Sequence, residues 1–150
     1  MPMIERTLVI VKPDGMEKHL ENEIIGRYEK AGLKVIARKI VSADKALLQK
    51  HYAAHVGKPF YAGLEKFMME LPVLAAVIEG DDAINRVREI TGATDPSKAA
   101  NGTIRGDLSG DSGERADREG RAIRNLVHAS GNAAEAATEI RLWFPELGHN

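Results

Sequence analysis

Cysteine is absent from this chain of 150 residues, which excludes a disulfide framework and any thiolate metal site. Aromatics are scarce, at three Phe, three Tyr and one Trp. No apolar run approaches the roughly 18 residues that suggest a membrane span. The longest, Pro72-Val73-Leu74-Ala75-Ala76-Val77-Ile78, is the size of a strand. The opening Met-Pro-Met-Ile-Glu-Arg has no basic segment leading into an apolar stretch, so a signal peptide is not expected. An excess of one charge is missing too: 21 Lys and Arg stand against 22 Asp and Glu. Affinity for a polymeric anion comes from many neutralised phosphates, so neither nucleic acid nor a membrane is an expected partner, while a local cationic pocket remains compatible. What is left is one ordinary domain, long enough to bury about 68–70% of its unfolded surface without staples. Its composition suits the cytoplasm.

Strand and helix patterns alternate along the chain. Thr7-Leu8-Val9-Ile10-Val11 is a β-branched run that leads into Lys12-Pro13-Asp14-Gly15, a turn by composition. Apolar residues at helical spacing predict a helix from Leu20 to Leu33 with Gly32 as its cap, and Leu33 to Val41 reads as a second strand. Ser42 or Asp44 caps a helix reaching about Ala54. A further helix starts at Lys58-Pro59-Phe60 and turns Leu64, Phe67, Met68 and Leu71 inward. Val73 to Ile78 is the clearest strand, and Asp81 or Asp82 opens a helix that Gly92 ends. From Gly92 to Gly120 periodicity fades, and a functional loop of nearly thirty residues is expected. Arg124 to His128 is a short strand, and Asn132-Ala133-Ala134-Glu135 opens a helix to about Trp143.

Chemistry concentrates at a few points of that pattern. His128 ends a strand and precedes the small residues Ala129-Ser130-Gly131, where an imidazole would face a cleft. Lys12 ends another strand, a common place for ligands in α/β sheets. Arg88 and the stretch from Gly92 to Asp107 add guanidinium groups, hydroxyls and glycine amides, a donor set suited to phosphate oxygens. His19, His51, His55 and His149 read as structural or solvent-facing. A zinc site from His51 and His55 at i, i+4 lacks the acidic residue of the usual pattern.

Five stretches in register resemble the nucleoside diphosphate kinase family over almost the whole chain. They are Glu5-Arg6-Thr7-Leu8 with Lys12-Pro13-Asp14-Gly15; His51-Tyr52 with Pro59-Phe60; Gly92 to Asp107; Arg124 to Ser130; and Glu139-Ile140 before Leu142-Trp143-Phe144. The resemblance implies a single α/β (α+β) domain over 1–150, with a ferredoxin-like βαββαβ antiparallel sheet covered by helices. It implies a phosphotransferase that moves the γ-phosphoryl group of a nucleoside triphosphate, typically ATP, to a nucleoside diphosphate through phospho-His128. Glu139 would hold the other ring nitrogen; Lys12 and Tyr52 would stand beside it as catalytic groups. Lys12, Arg88, Thr94, Arg105 and Asn125 would surround phosphates and ribose, with Phe60 and Leu64 at the base. Mg²⁺ would arrive on the nucleotide with no direct protein ligand, and the chain would form a homo-oligomer, a dimer-based tetramer or hexamer. These residues suit the reaction physically: phosphoryl transfer needs an in-line nucleophile and charge neutralisation, and a neutral imidazole serves at pH 7.

Two departures from the family pattern stand out. Arg105 and His128 are 23 positions apart, roughly ten more than the family shows, which places a charged insertion at about 108–121. Its acid-first pairs Glu114/Arg118 and Asp117/Arg121 predict a short solvated helix, bounded by Gly113 and Gly120. The family's acidic and hydroxyl residues after Ser130 are here Gly131 and Asn132, of which Asn132 still suits a helix cap. A catalytically impaired nucleotide-binding or regulatory module of the same fold is the alternative reading. Arg86 and Arg88 also have a plain reading as solvated partners of nearby acids, as Tyr52 and Phe60 have as core aromatics.

Overall fold

The computed structural model describes residues 3–147. Four strands, β1 (Ile4–Val11), β2 (Lys34–Val41), β3 (Val73–Asp81) and β4 (Val127–Ala129), form one sheet in the order β2-β3-β1-β4 with every neighbouring pair antiparallel. The eight helices among the described residues are α1 (Pro13–Glu17), α2 (Glu21–Lys30), α3 (Lys45–His51), α4 (Tyr61–Met68), α5 (Ala83–Thr91), α6 (Ile104–Leu108), α7 (Gly113–Glu119) and α8 (Ala133–Trp143). This is the single α+β domain with a βαββαβ core that the resemblance implies.

Strand parity sorts the core into two layers. Val9 and Val11 of β1 and Leu74, Ala76 and Ile78 of β3 pack against Ile24, Tyr28 and Val87 of α2 and α5. Leu8, Ile10, Val73, Ala75 and Val77 face the other way, onto Leu48, Met68, Ile140 and Trp143 of α3, α4 and α8. Both central strands are covered on both faces, which is why 72–78 reads as an unbroken apolar run rather than an alternating one. Register then decides where the chemistry lies. His128 pairs with Ile10 across β1/β4, so the imidazole emerges on the face that α3 and α8 cover.

Several sequence-predicted boundaries move, each for a local reason. β1 begins at Ile4 because Glu5 and Arg6 pair with Gly80 and Glu79, and Arg6 Nε donates to Glu79 Oε2 at 2.9 Å, which lengthens β3 to Asp81 as well. Lys12-Pro13-Asp14-Gly15 is not a free turn but leads into α1, with Pro13 in the first turn, where its missing N–H costs nothing. α2 ends at Lys30, with Gly32 at φ 90° beyond it, and β2 follows. α3 stops at His51, short of Ala54, although Asp44 caps it as expected. α4 starts at Tyr61 and ends at Met68, so Leu71 lies past it and is exposed. Asp82 sits at the start of α5 but contributes no side-chain cap; Glu5 Oε1 accepts from the Ile84 N–H instead. β4 spans Val127–Ala129 rather than 124–128, because Leu126 adopts φ 73° and its N–H turns to Asp14 Oδ2. Asn132 caps α8 through Glu135 N–H, as predicted.

The largest correction concerns 92–120, which is not one long loop. It holds a 3₁₀ turn at Pro96–Lys98, α6 and α7, capped by the side chains of Asp95, Thr103 and Ser112. Elements of three to seven residues offer too few apolar positions for periodicity to register, and their visible signal is the caps. α7 is the short helix expected between Gly113 and Gly120, but neither predicted i, i+4 pair forms among the described residues. Gly120 leaves the helix at φ 64°, and Arg121 pairs with Asp111 and Glu119.

Candidate active site

The site grows from the C-terminal end of β1. Lys12 N–H donates to Leu126 O at 2.8 Å while Leu126 N–H donates to Asp14 Oδ2 at 2.9 Å, so the α1 turn and the segment entering β4 are stitched together. Gly15 lies so close to Leu126 O and Val11 that a Cβ there would stand 3.0 and 2.8 Å from them. That junction delivers Lys12, Asn125 and His128 to one cavity of about 190 Å³, shared with Arg88, Thr94 and Arg105. Among the described residues, three cationic side chains and no carboxylate line it.

Behind the cavity, His128 Nε2 meets Glu139 Oε1 at 2.7 Å, and Ser130 Oγ donates to the same oxygen at 2.7 Å. A carboxylate accepts only, so the proton sits on Nε2 and the Nδ1 lone pair is left for the cavity. Burial pushes the Glu139 carboxyl up, yet the hydrogen bond and charge of His128 outweigh it and hold the group below its usual value.

Lys12 Nζ donates to Asn125 Oδ1 at 2.9 Å, and Asn125 Nδ2 to Thr94 O at 3.0 Å. Burial, with Arg105 nearby, lowers the Lys12 ammonium to about 8. Arg105 lies buried, donating to Asn125 O at 3.2 Å, Gly92 O at 3.0 Å and Val127 O at 2.6 Å, and burial lowers it to about 10. It therefore knits three segments of the wall together while presenting its charge to the cavity.

A second cleft of about 600 Å³ adjoins the first at Lys12, and Phe60, Leu64 and the near face of α7 line it. Phe60 is 53% exposed there, which corrects its core reading. Tyr52 is brought beside the site but onto neither cavity wall. Its ring contacts His51, its hydroxyl is buried without a partner, and burial followed by Glu139 pushes that hydroxyl well above its usual range. Among the described residues Arg86 pairs with no acid; its guanidinium binds the backbone carbonyls of Asp81 and Ala31.

His51 is the residue that sequence reasoning missed. Its ring meets His128 edge-on at 4.6 Å between centroids, and Trp143 Nε1 donates to its Nδ1 at 2.9 Å. Burial and the neighbouring His128 lower its imidazole to about 3, so it stays neutral. The motif His51-Tyr52 was visible; the contact depends on α3 packing against α8. One ligating atom each of His51, His128 and Glu139 lie within 4.8 Å of one another, the one metal-like cluster among the described residues. Hydrogen bonds from Trp143, His128 and Ser130 already occupy His51 Nδ1 and Glu139 Oε1. His55 lies in neither cavity, His19 adopts φ 57° after α1, and His149 falls outside the described residues.

Comparison with known proteins agrees with this geometry. Residues 5–148 match the family profile described as nucleoside diphosphate kinase. The chain belongs to the nucleoside diphosphate kinase family. It is 48% identical over 147 residues to a nucleoside diphosphate kinase of Saccharopolyspora erythraea, covering 97% of this chain and 100% of that one. It is 46% identical over 144 residues to one of Pyrococcus furiosus, covering 96% and 85%. Among solved structures, a transition-state mimic of the Borrelia burgdorferi enzyme with bound vanadate and ADP superposes with a TM-score of 0.89 at 40% identity, covering 94% of this chain and 87% of that one. The Pyrobaculum aerophilum enzyme gives 0.88 at 36% identity, covering 98% and 99%. Among the described residues no helix is long and apolar enough to cross a membrane.

Proposed function

We propose that this nucleoside diphosphate kinase transfers the γ-phosphoryl group of a nucleoside triphosphate, typically ATP, to a nucleoside diphosphate through phospho-His128. One observation carries the assignment of the nucleophile: an imidazole fixed by Glu139 through Nε2 stands at the wall of a small cavity lined by cations. Nδ1 attacks the γ-phosphorus, and the bond to the β,γ-bridging oxygen breaks with its electron pair leaving on the diphosphate. Positive charge that develops on the ring is met by Glu139, which Ser130 holds in place. The second diphosphate takes the phosphoryl group by the reverse path, so the steps alternate.

Lys12, Arg88 and Arg105 neutralise the phosphate charge in this reading, and Asn125 and Thr94 orient the phosphates and ribose. Phe60 stacks the base with Leu64 beside it, a contact open to every base because each has a π-face. Tyr52 backs the imidazoles. The nucleotide substrate carries its own Mg²⁺, in keeping with a cavity wall that lacks carboxylates. Assembly into a dimer-based homo-oligomer fits the outer edge of β2, an unpaired strand edge on which Ile40 is 59% exposed. Light scattering that returned the mass of a single chain would remove that part. We place the protein in the cytoplasm, which the cysteine-free composition suits.

The test is direct. Incubation with γ-labelled ATP and Mg²⁺ is expected to label the protein through an acid-labile, base-stable bond, and the label is expected to pass to added diphosphate. Labelling of His128→Asn equal to that of the parent would overturn the assignment.

A further inference from the structure

The cleft beside Lys12 has two unlike walls. Phe60 and Leu64 form one; α7 forms the other through Gly113, Ala116 and Asp117, with Gly120 just past its end. The three helical positions are i, i+3 and i+4, a single helical face. Gly113 and Ala116 carry at most a methyl group, so the face is flat; Lys12 and Arg121 reach the same cleft from outside α7, and Asp117 alone extends functional atoms from the helix. Its sequence partner does not answer it. Arg121 lies beyond the end of α7 and binds Asp111 through two hydrogen bonds at 2.8 and 2.9 Å and Glu119 at 2.9 Å. The Asp117 carboxylate makes no side-chain hydrogen bond or ion pair among the described residues, and Asp117 is exposed.

Resting on the kinase reading above, which stacks the base on Phe60, we propose that α7 is the facing wall of the base site and that Asp117 biases it towards guanine. An ionised carboxylate only accepts hydrogen bonds. Guanine presents two donors side by side, N1–H and the 2-amino group, which match the two carboxylate oxygens. Adenine and cytosine set an amino group beside a ring-nitrogen lone pair, which faces a carboxylate oxygen unfavourably. Uracil and thymine set one N–H between two carbonyls. The segment read as an insertion thus supplies a base-reading group to a site otherwise tolerant of any base.

Calorimetric Kd values for GDP, IDP and ADP on the full chain, together with kcat/KM for the same acceptors, test this. GDP is expected to bind with a Kd about five- to tenfold lower than that of ADP and to react with a kcat/KM higher by about the same factor, the scale of one charge-assisted hydrogen bond near the surface. IDP, which lacks the 2-amino group, falls between. Asp117→Ala brings the GDP-to-ADP ratio close to one. Asp117→Asn, whose amide offers one donor and one acceptor as adenine's edge requires, moves the ratio past one in favour of ADP. A ratio that neither substitution changes, an equal loss for all nucleotides, or IDP binding as tightly as GDP overturns the proposal. Failure of the kinase reading looks different: no phosphohistidine forms with any nucleotide, while the Kd ratios still report on Asp117. Absence of binding by both diphosphates overturns the two together.

Discussion

Lys12 works at the edge of its own ionisation. Burial and Arg105 bring its ammonium to about 8, so in the nucleotide-free enzyme its charge fades as pH rises through that value. Because kcat/KM reports the free enzyme, it is expected to fall above pH 8, whereas kcat, measured with phosphates stabilising the ammonium, holds to higher pH. The stability effect has the opposite slope. Between about 8 and the unfolded value of 10.5 the unfolded chain binds the extra proton, so this group lets stability rise with pH in that window. Arg105 joins two roles. Arg105→Ala is expected to cost about 3–4 kcal/mol of transition-state stabilisation, as for the loss of one positioned donor. It is also expected to lower Tm, because Gly92, Asn125 and Val127 lose their shared donor. Turnover equal to the parent would remove Arg105 from the site. At this scale the residues that converge on the small cavity, His128 with Lys12, Arg88, Thr94, Arg105 and Asn125, were legible in the motifs. The contacts of His51 with His128 and Trp143 were not, since these partners lie far from it along the chain, Trp143 by 92 positions, and they meet only through the packing of α3 on α8 and beside β4.

Among the elements, α6 and α7 are held by a few polar contacts rather than by an apolar face. Asp111 accepts from both terminal nitrogens of Arg121 and from Arg124 N–H, and Arg121 holds its carboxyl far below the usual range. Asp111→Asn is expected to destabilise the protein by about 1.5–3 kcal/mol, the worth of a hydrogen bond to a charged group, read as a lowered midpoint in urea. Since the folded value lies below the unfolded one, the contribution is complete above the ordinary carboxylate range and is lost as pH falls from that range to the lower folded value. Gly106 makes a second pin: a Cβ there would come within 2.2 Å of Ala100 O, so Gly106→Ala is expected to displace α6 and, with it, Arg105. Phosphoenzyme yield from ATP checks that outcome. α6 escaped the sequence because its burial rests on single residues such as Ile104, and α7 was legible only through its charge pattern and bounding glycines, whereas β3 and α2 declared themselves through repeated apolar positions.

At the scale of the whole molecule, a net charge of −1 coexists with a cavity lined by three cations. The positive potential is local, so the chain is expected to pass through an immobilised polyanion column at 0.15 M salt while binding a single nucleotide; retention there would show a basic face that the charge count does not contain. The two hollows that meet at Lys12 differ threefold in volume, about 190 against 600 Å³. The smaller suits phosphate groups and not a second nucleoside. In the proposed reaction donor and acceptor share one berth and use it in turn, so double-reciprocal rate plots at several fixed donor concentrations are expected to be parallel lines. A diphosphate that enters before the histidine is charged blocks the next donor, and excess acceptor slows the flux it is meant to receive. Traffic through the protein then follows the ratio of triphosphate to diphosphate around it, and neither concentration alone.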